Sequence, residues 1–288
     1  MFLTIRDMRS LALVAALFLT LPAFAQQQST SAPGADDGYF SNWFHRVDKI
    51  QSEQPHWITP LATVTPRLEE ESRYDIDWRT ANSGVTSENY GGGKGLELIP
   101  FQNVEVLLNL PPYIAHNNPA VPDGFGDFSF TVKYRLLSAN ERRGNYILTA
   151  FFGASLPTGS HTNGARAAML TPTIAYGKGF GRFDAQGTFG INFPASNSNM
   201  LGRAIVWNNT AQVHVSKKLW PEIEANSTFF SGGINVGRKQ TFLTPGLVIG
   251  KIHIAKRVGL TFGGGFQIAA THFHLNNHNG IFSIRFPF

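Results

Sequence analysis

The chain of 288 residues contains no cysteine. That excludes disulfide scaffolds, thiolate metal sites and cysteine nucleophiles. Charge is sparse, at 15% of residues, with 24 Lys and Arg against 19 Asp and Glu. The basic residues are scattered, so they form no nucleic-acid patch. No Gly-x-Ser-x-Gly elbow is present for a hydrolase. Long apolar runs are also missing. The longest, Leu11 to Phe24, is broken only by Thr20 and Pro22. At about 14 residues it falls short of the roughly 20 that span a bilayer as a helix.

That run instead has the layout of a secretory signal. Arg6 and Arg9 precede it, and Ala23-Phe24-Ala25 follows with small residues where a signal peptidase reads. Cleavage is expected before Gln26, giving residues 1–25 as signal peptide. Residues 26–59 are expected to form a periplasmic leader and residues 60–288 a barrel. Within the leader, residues 26–37 are polar and read as flexible. From Tyr39 to Ile50, the helical spacing of Trp43, Val47 and Ile50 predicts a short amphipathic helix. Such a helix could rest on the rim of the barrel or enter its lumen as a plug.

Beyond Leu61 the hydrophobic period becomes two. Phe183, Ala185, Gly187, Phe189, Ile191 and Phe193 alternate with Asp184, Gln186, Thr188 and Asn192. Phe128, Phe130, Val132, Tyr134 and Leu136 alternate with Asp127, Ser129, Thr131, Lys133 and Arg135. Successive side chains of a strand face opposite ways, so each segment has one apolar and one polar face. About twelve such segments are predicted, near 61–79, 93–99, 102–111, 125–138, 144–157, 167–178, 182–194, 204–218, 221–231, 239–254, 258–271 and 279–288. Ten or fourteen remain compatible with the pattern. Pro172 and Pro245, which cannot donate to a ladder, predict a bulge or a local break in two of them. A soluble β-sandwich would give the same period. Long connections alternating with tight ones, and 24 Phe residues, point instead to an all-β, antiparallel up-and-down barrel in a Gram-negative outer membrane. Ser83 to Gly92, Pro112 to Gly124 and Ser160 to Arg166 are expected external loops. Pro100-Phe101 and Leu219-Trp220 are expected tight turns.

The last segment places Phe282, Ile284, Phe286 and Phe288 on one face. This resembles the closing-strand signal read by the barrel-assembly machinery. Deleting Phe288 is expected to lower the yield of folded barrel, scored by heat-modifiable migration on gels. Gly124-Phe125-Gly126-Asp127-Phe128, Lys133-Tyr134-Arg135 and Ala154-Ser155-Leu156-Pro157-Thr158-Gly159 together resemble an outer-membrane family named for the MetA pathway of phenol degradation. The resemblance covers roughly residues 61–288. It implies a transporter-like barrel passing small, often aromatic, compounds.

The charged candidates follow from strand parity. Glu69, Glu71, Arg73, Asp75, Asp77 and Arg79 share one face of the first segment. Glu105, Asp127, Lys133, Arg135 and Arg285 fall on the polar face of theirs. Charges facing lipid cost up to a few kcal/mol each near the midplane, so these are expected to line the lumen. They could set selectivity in an open pore or form salt bridges that hold the lumen shut.

Other signals are weaker. His272, His274 and His278 share a loop and read as solvated histidines rather than a metal site. Gly91 to Gly95 lacks the spacing of a phosphate loop and reads as a flexible loop into the second strand. Gly263-Gly264-Gly265 is expected to mark a close approach or a bend. His214 and Ser216 share a face and are the best pair available to a lipid hydrolase. No catalytic residue, metal or cofactor is assigned. The expected function is passive passage of small molecules; a structural or adhesive barrel, or a lipid-modifying enzyme, are the alternatives. Expected partners are outer-membrane lipids, the assembly machinery and a solute of unknown identity, with no nucleic acid.

Overall fold

The computed structural model describes residues 38–288; the secretory signal and the polar leader expected over residues 1–37 lie outside the described residues. Twelve antiparallel strands, each paired with its sequence neighbour, close into a barrel. They are β1 (Glu71–Ala81), β2 (Thr86–Gly92 and Leu96–Phe101), β3 (Val104–Asn109 and Tyr113–His116), β4 (Gly124–Phe125 and Phe128–Ala139), β5 (Tyr146–Leu156) and β6 (Met169–Phe180). Then come β7 (Phe183–Pro194), β8 (Ala204–Val213), β9 (Leu219–Phe230), β10 (Lys239–His253), β11 (Gly259–Ala269) and β12 (Asn276–Pro287). β12 returns to pair with β1, with Arg285 opposite Arg73 and Phe282 opposite Ile76. Closure leaves no free sheet edge, which a lipid environment requires.

The alternation sets the two faces. Tyr74, Trp78, Val132, Tyr134, Phe189, Trp207 and Phe286 are exposed on the outside, while Arg73, Asp75, Lys133, Gln186 and Arg285 are buried inside. In β12, Phe282, Ile284, Phe286 and Phe288 point out, alternating with buried Ile281, Ser283, Arg285 and Pro287.

Two expectations need correction, and the alternative left open at Pro172 and Pro245 falls on the local break. The first strand starts at Glu71, not near Leu61. Residues 53–70 carry no strand and, apart from exposed His56 and half-buried Glu53, Ala62 and Val64, lie buried; Leu68, which strand alternation would put on the face opposite Glu69, is 0% exposed. The first loop is also short. Residues 86–92 continue the wall as strand, so β1 and β2 join through residues 82–85. At Pro172 and Pro245 the ladder lapses on one side, but the register beyond is unchanged, so neither residue makes a bulge. Both prolines face residues of the other neighbouring strand, Phe152 and Ile223, in unbroken register. Bulges fall elsewhere, as between Arg135 and Leu137.

β2, β3 and β4 are interrupted at one level of the wall, by Gly93-Lys94-Gly95, Leu110-Pro111-Pro112 and Gly126-Asp127. Gly93 has φ +118°, and a Cβ there would lie 2.0 Å from Asp75. The left-handed backbone is cheap only for glycine. On the β4 side, Asp127 bridges the gap to the loop after β5: its carboxylate accepts from the backbone N–H of Gly159 (2.8 Å) and Ala165 (2.6 Å). Thr158 Oγ1 accepts from Phe128 N–H at 2.9 Å. The Gly-Asp and Pro-Thr-Gly elements read in the sequence therefore meet in one loop anchor, and Asp127 does not line a pore.

Ahead of the barrel stands helix α1 (Trp43–Ser52), as the spacing predicts. Val47 and Ile50 are its buried residues. It rests at the end of the barrel that carries the tight turns. Asn140 Nδ2 donates to Ser52 O (2.9 Å), Arg135 Nη1 donates to Ile50 O (2.8 Å), and Asp48 forms a two-pronged ion pair with Arg257 (2.7 and 3.0 Å). Hydrogen bonds from Arg257 hold the Asp48 carboxyl below its ordinary value, against the opposing effect of partial burial. A lowered carboxylate contributes order above the ordinary carboxylate range and loses it as pH falls through the lowered value. Amide exchange in residues 45–52, corrected for intrinsic rates, should therefore be slow at neutral pH and rise in strong acid. Asp48→Asn should flatten that rise.

Candidate functional site: a plug held by the barrel wall

The lumen is filled not by the helix but by the extended chain that follows it. Gln54 closes residues 54–68 into a loop, exchanging hydrogen bonds with the backbone of Leu68 (2.7 and 3.0 Å). An extended segment inside a barrel cannot join the ladder, because every wall strand is already paired on both sides. Its buried N–H and C=O groups need partners from wall side chains.

The wall supplies them by sign. On one side, cations take the carbonyls. Arg73 donates to Pro60 O (3.1 Å) and Leu61 O, Arg285 donates to Pro60 O (3.1 Å) and Thr59 O, and Lys94 donates to Thr63 O (3.0 Å). On the other side, two carboxylates of β9 take the amides. Glu222 accepts from Leu61 N–H (3.0 Å), and Glu224 accepts from Ala62 N–H (2.7 Å) and Thr63 N–H (2.6 Å). Charge-assisted bonds of this kind are roughly twice as strong as neutral ones. Further along, Thr65 Oγ1 donates to Gln186 (2.7 Å), Thr149 Oγ1 to Pro66 O (2.6 Å) and Lys133 Nζ to Arg67 O (3.2 Å).

A second node secures the base of the plug. Lys133 is 0% exposed and lies 2.8 Å from Glu105 and 3.6 Å from Glu97. Glu105 also accepts from Glu69 N–H (2.6 Å), and Arg67 pairs with Glu69 at 2.9 Å. Packing completes the fit. Leu61 fills a recess made by three wall glycines: a Cβ at Gly246, Gly263 or Gly265 would lie 2.4 to 2.8 Å from its side chain. The glycine run of β11 is thus a close approach, as its sequence suggests. Trp57, Ile58 and Leu61 form an apolar cluster with Ile147, Trp220 and Val248. Gly263→Val should unseat Leu61 at a cost of about 1–3 kcal/mol. A thiol introduced as Thr63→Cys into this cysteine-free chain would report it. It should be protected from a water-soluble maleimide in the parent barrel and react faster beside Gly263→Val.

The predicted lumen charges sort as follows. Glu71, Arg73, Asp75, Glu105, Lys133, Arg135 and Arg285 are buried inside the wall. Glu69 is buried as well, but on the plug itself. Asp77 and Arg79 pair with each other at 3.0 Å, nearer the loop end. Arg135 serves the helix and Glu53 (3.2 Å) rather than the plug apex. Glu222, Glu224, Gln186, Gln212 and Lys94 were not named as lumen-lining residues from the sequence. The first four sit at inward positions of β7, β8 and β9, so strand parity could have found them. Lys94 lies in the glycine segment read as a flexible loop; that segment is an ordered break that carries Lys94 to the plug.

Above the plug, the loop end of the lumen holds two chambers that share Val64. One, of about 290 Å³, is lined by Phe151, Ala154, Thr131, Thr173, Thr188 and Asn208. The other, of about 310 Å³, is lined by Asp75, Asp77, Arg79, Lys94 and Gln267. One wall is apolar with hydroxyls and the other charged. At the turn end, His214 stacks on Trp220 with ring centroids 4.0 Å apart, while Ser216 lies in the exposed turn, so the two do not form a nucleophile–base pair. His274 bonds to Thr271 O (2.8 Å) and Asn277 (3.0 Å), and His278 stacks on Phe266. Among the described residues no group of three His, Cys, Asp or Glu could hold a metal.

The COG4313 outer membrane channel from Pseudomonas putida F1 superposes with a TM-score of 0.55 at 14% identity, over 81% of this chain and 100% of that one. The NanC porin gives 0.48 at 10% identity, over 76% and 98%. The outer membrane channel DcaP of Acinetobacter baumannii gives 0.32 at 6%, over 81% and 99%. No curated protein matches the sequence. The family model described as MetA-pathway of phenol degradation matches residues 70–272, most of the barrel, and the chain belongs to that family.

Proposed function

We propose that this barrel is an outer-membrane channel for small amphipathic molecules, with residues 53–70 as its gate. The observation that carries this is the manner in which the lumen is closed. The plug apex is held by polar contacts from side chains of β9, β12 and β1 and not by strand pairing, so it can be displaced without breaking the barrel. The divided outer chamber supports a solute with one apolar and one polar side, such as a small phenol-like ring. Long loops face outward and the tight turns and α1 face the periplasm, as is usual for such barrels. Transport in this reading is passive.

Proteoliposome swelling tests this. An aromatic glycoside should enter faster than a sugar of equal mass, and both should enter faster than in vesicles without protein. Equal rates for the two solutes would remove the amphipathic preference. Rates no higher than in empty vesicles, for the parent and for a plug-released variant alike, would remove the channel.

A further inference from the structure

The two ends of the barrel differ in charge far more than in size. The six connections at the loop end (residues 82–85, 117–123, 157–168, 195–203, 231–238 and 270–275) contain three cations, Arg166, Arg203 and Arg238, and one carboxylate, Asp123, with exposed Lys239 at the adjoining start of β10. The opposite end gathers exposed Arg142, Arg143, Lys178, Arg182, Lys217, Lys218 and Lys256 around its tight turns. The one exposed carboxylate in those turns, Glu141, is taken by His56, through its backbone N–H (2.6 Å) and its ring (2.9 Å). None of the seven cations joins an ion pair among the described residues. Arg257, in the same turns, is committed to Asp48.

This charge lies directly beside exposed apolar surface. Phe180, Phe183, Tyr146, Val215, Leu137 and Ile254 stand exposed at the same end. The best-defined point is Lys178. It faces outward opposite Tyr146 in the β5–β6 ladder, with its ammonium 5.8 Å from the rings of both Tyr146 and Phe180, and it also donates to Gly144 O. A lysine whose stem lies among lipid-level aromatics and whose head reaches the turn is placed at headgroup depth. Arg142, Arg143 and Arg182 occupy the two turns that flank it.

We infer that this rim is a docking surface for anionic phospholipid of the inner leaflet, with Lys178, Arg142, Arg143 and Arg182 forming one headgroup-phosphate site. The inference rests on the membrane reading above, and on its orientation, but not on the plug or on transport. The argument is charge complementarity next to a hydrophobic band: clustered Lys and Arg at a membrane surface attract anionic lipid, by roughly fivefold in affinity per residue at low salt. The outer loops lack this density.

The test uses the full chain purified in a neutral detergent, with lipid retention read by native mass spectrometry. Phosphatidylglycerol should be retained at least fivefold more than phosphatidylcholine of the same chain length, and 0.5 M salt during loading should erase the difference. Lys178→Gln with Arg142→Gln, Arg143→Gln and Arg182→Gln should bring retention to the phosphatidylcholine level. Arg166→Gln with Arg203→Gln and Arg238→Gln, at the other end, should leave it unchanged. Inorganic phosphate should not compete at millimolar concentration, because the apolar band supplies part of the site. Equal retention of the two lipids by the parent protein would overturn the inference, even if the rim variant failed to fold. So would undiminished preference in a folded rim variant, or an equal loss in the loop variant. A chain that stayed dissolved without detergent would instead sink the membrane reading itself.

Discussion

Replacing Glu222 and Glu224 together by Ala should convert a closed barrel into one with large, frequent openings in planar bilayers. The three backbone N–H groups of Leu61, Ala62 and Thr63 lose their acceptors. A buried donor left without a partner costs about 1–3 kcal/mol. Three such losses, even partly relieved by water, raise the population of the displaced plug at least tenfold, since about 1.4 kcal/mol corresponds to one factor of ten. The barrel itself should persist, because neither carboxylate takes part in the β8–β9–β10 ladders. Glu222→Gln with Glu224→Gln should give a weaker effect, as the amide oxygen still accepts. Unchanged conductance in the Ala variant, with the barrel shown to be folded, would mean that these contacts do not hold the gate.

The second large effect is on stability. Lys133→Met should lower the unfolding free energy of the refolded barrel by about 3–5 kcal/mol, the usual cost of removing one partner from a buried ion pair. Lys133 has no exposed surface and lies beside two equally buried carboxylates, Glu97 and Glu105. Met keeps the volume but leaves both acids facing each other. Adding Glu105→Gln and Glu97→Gln should restore most of the loss, because the penalty arises from stranded charge. Urea titration followed by tryptophan fluorescence or gel mobility would read both. A single variant as stable as the parent would show that water already reaches this node.

The barrel was legible in the sequence because its pattern is enforced at every strand: one face meets lipid and the other meets the lumen. Phe183 to Asn192 cannot satisfy both in another register. The plug was not legible for the same reason. Leu61 to Glu70 continues smoothly into β1, with Leu68 and Glu69 alternating as in a strand, so nothing local marks where the wall begins. Inside a polar lumen, an extended segment needs no apolar face of its own. Its partners lie 83 residues away for Thr149 and over 160 for Glu222 and Glu224, which no local reading recovers. Pro60 and Pro66, which cannot donate to a ladder, were the available warning. Asp127 misled through parity. It sits on the inward face, but at the break in β4, where the nearest unpaired groups belong to a loop.

The wall holds the apex of the plug mainly through main-chain atoms. Peptide groups are common to every residue, so the lock senses a trajectory and a spacing of amides, with little regard for which residue passes through it. Ala62 can therefore drift in identity at small energetic cost, whereas inserting or removing a single residue between Thr59 and Thr63 would misalign every donor with its acceptor. Across relatives, this stretch should stay constant in length and vary in letters at positions such as Ala62, while Leu61, seated among three wall glycines, should keep its apolar side chain.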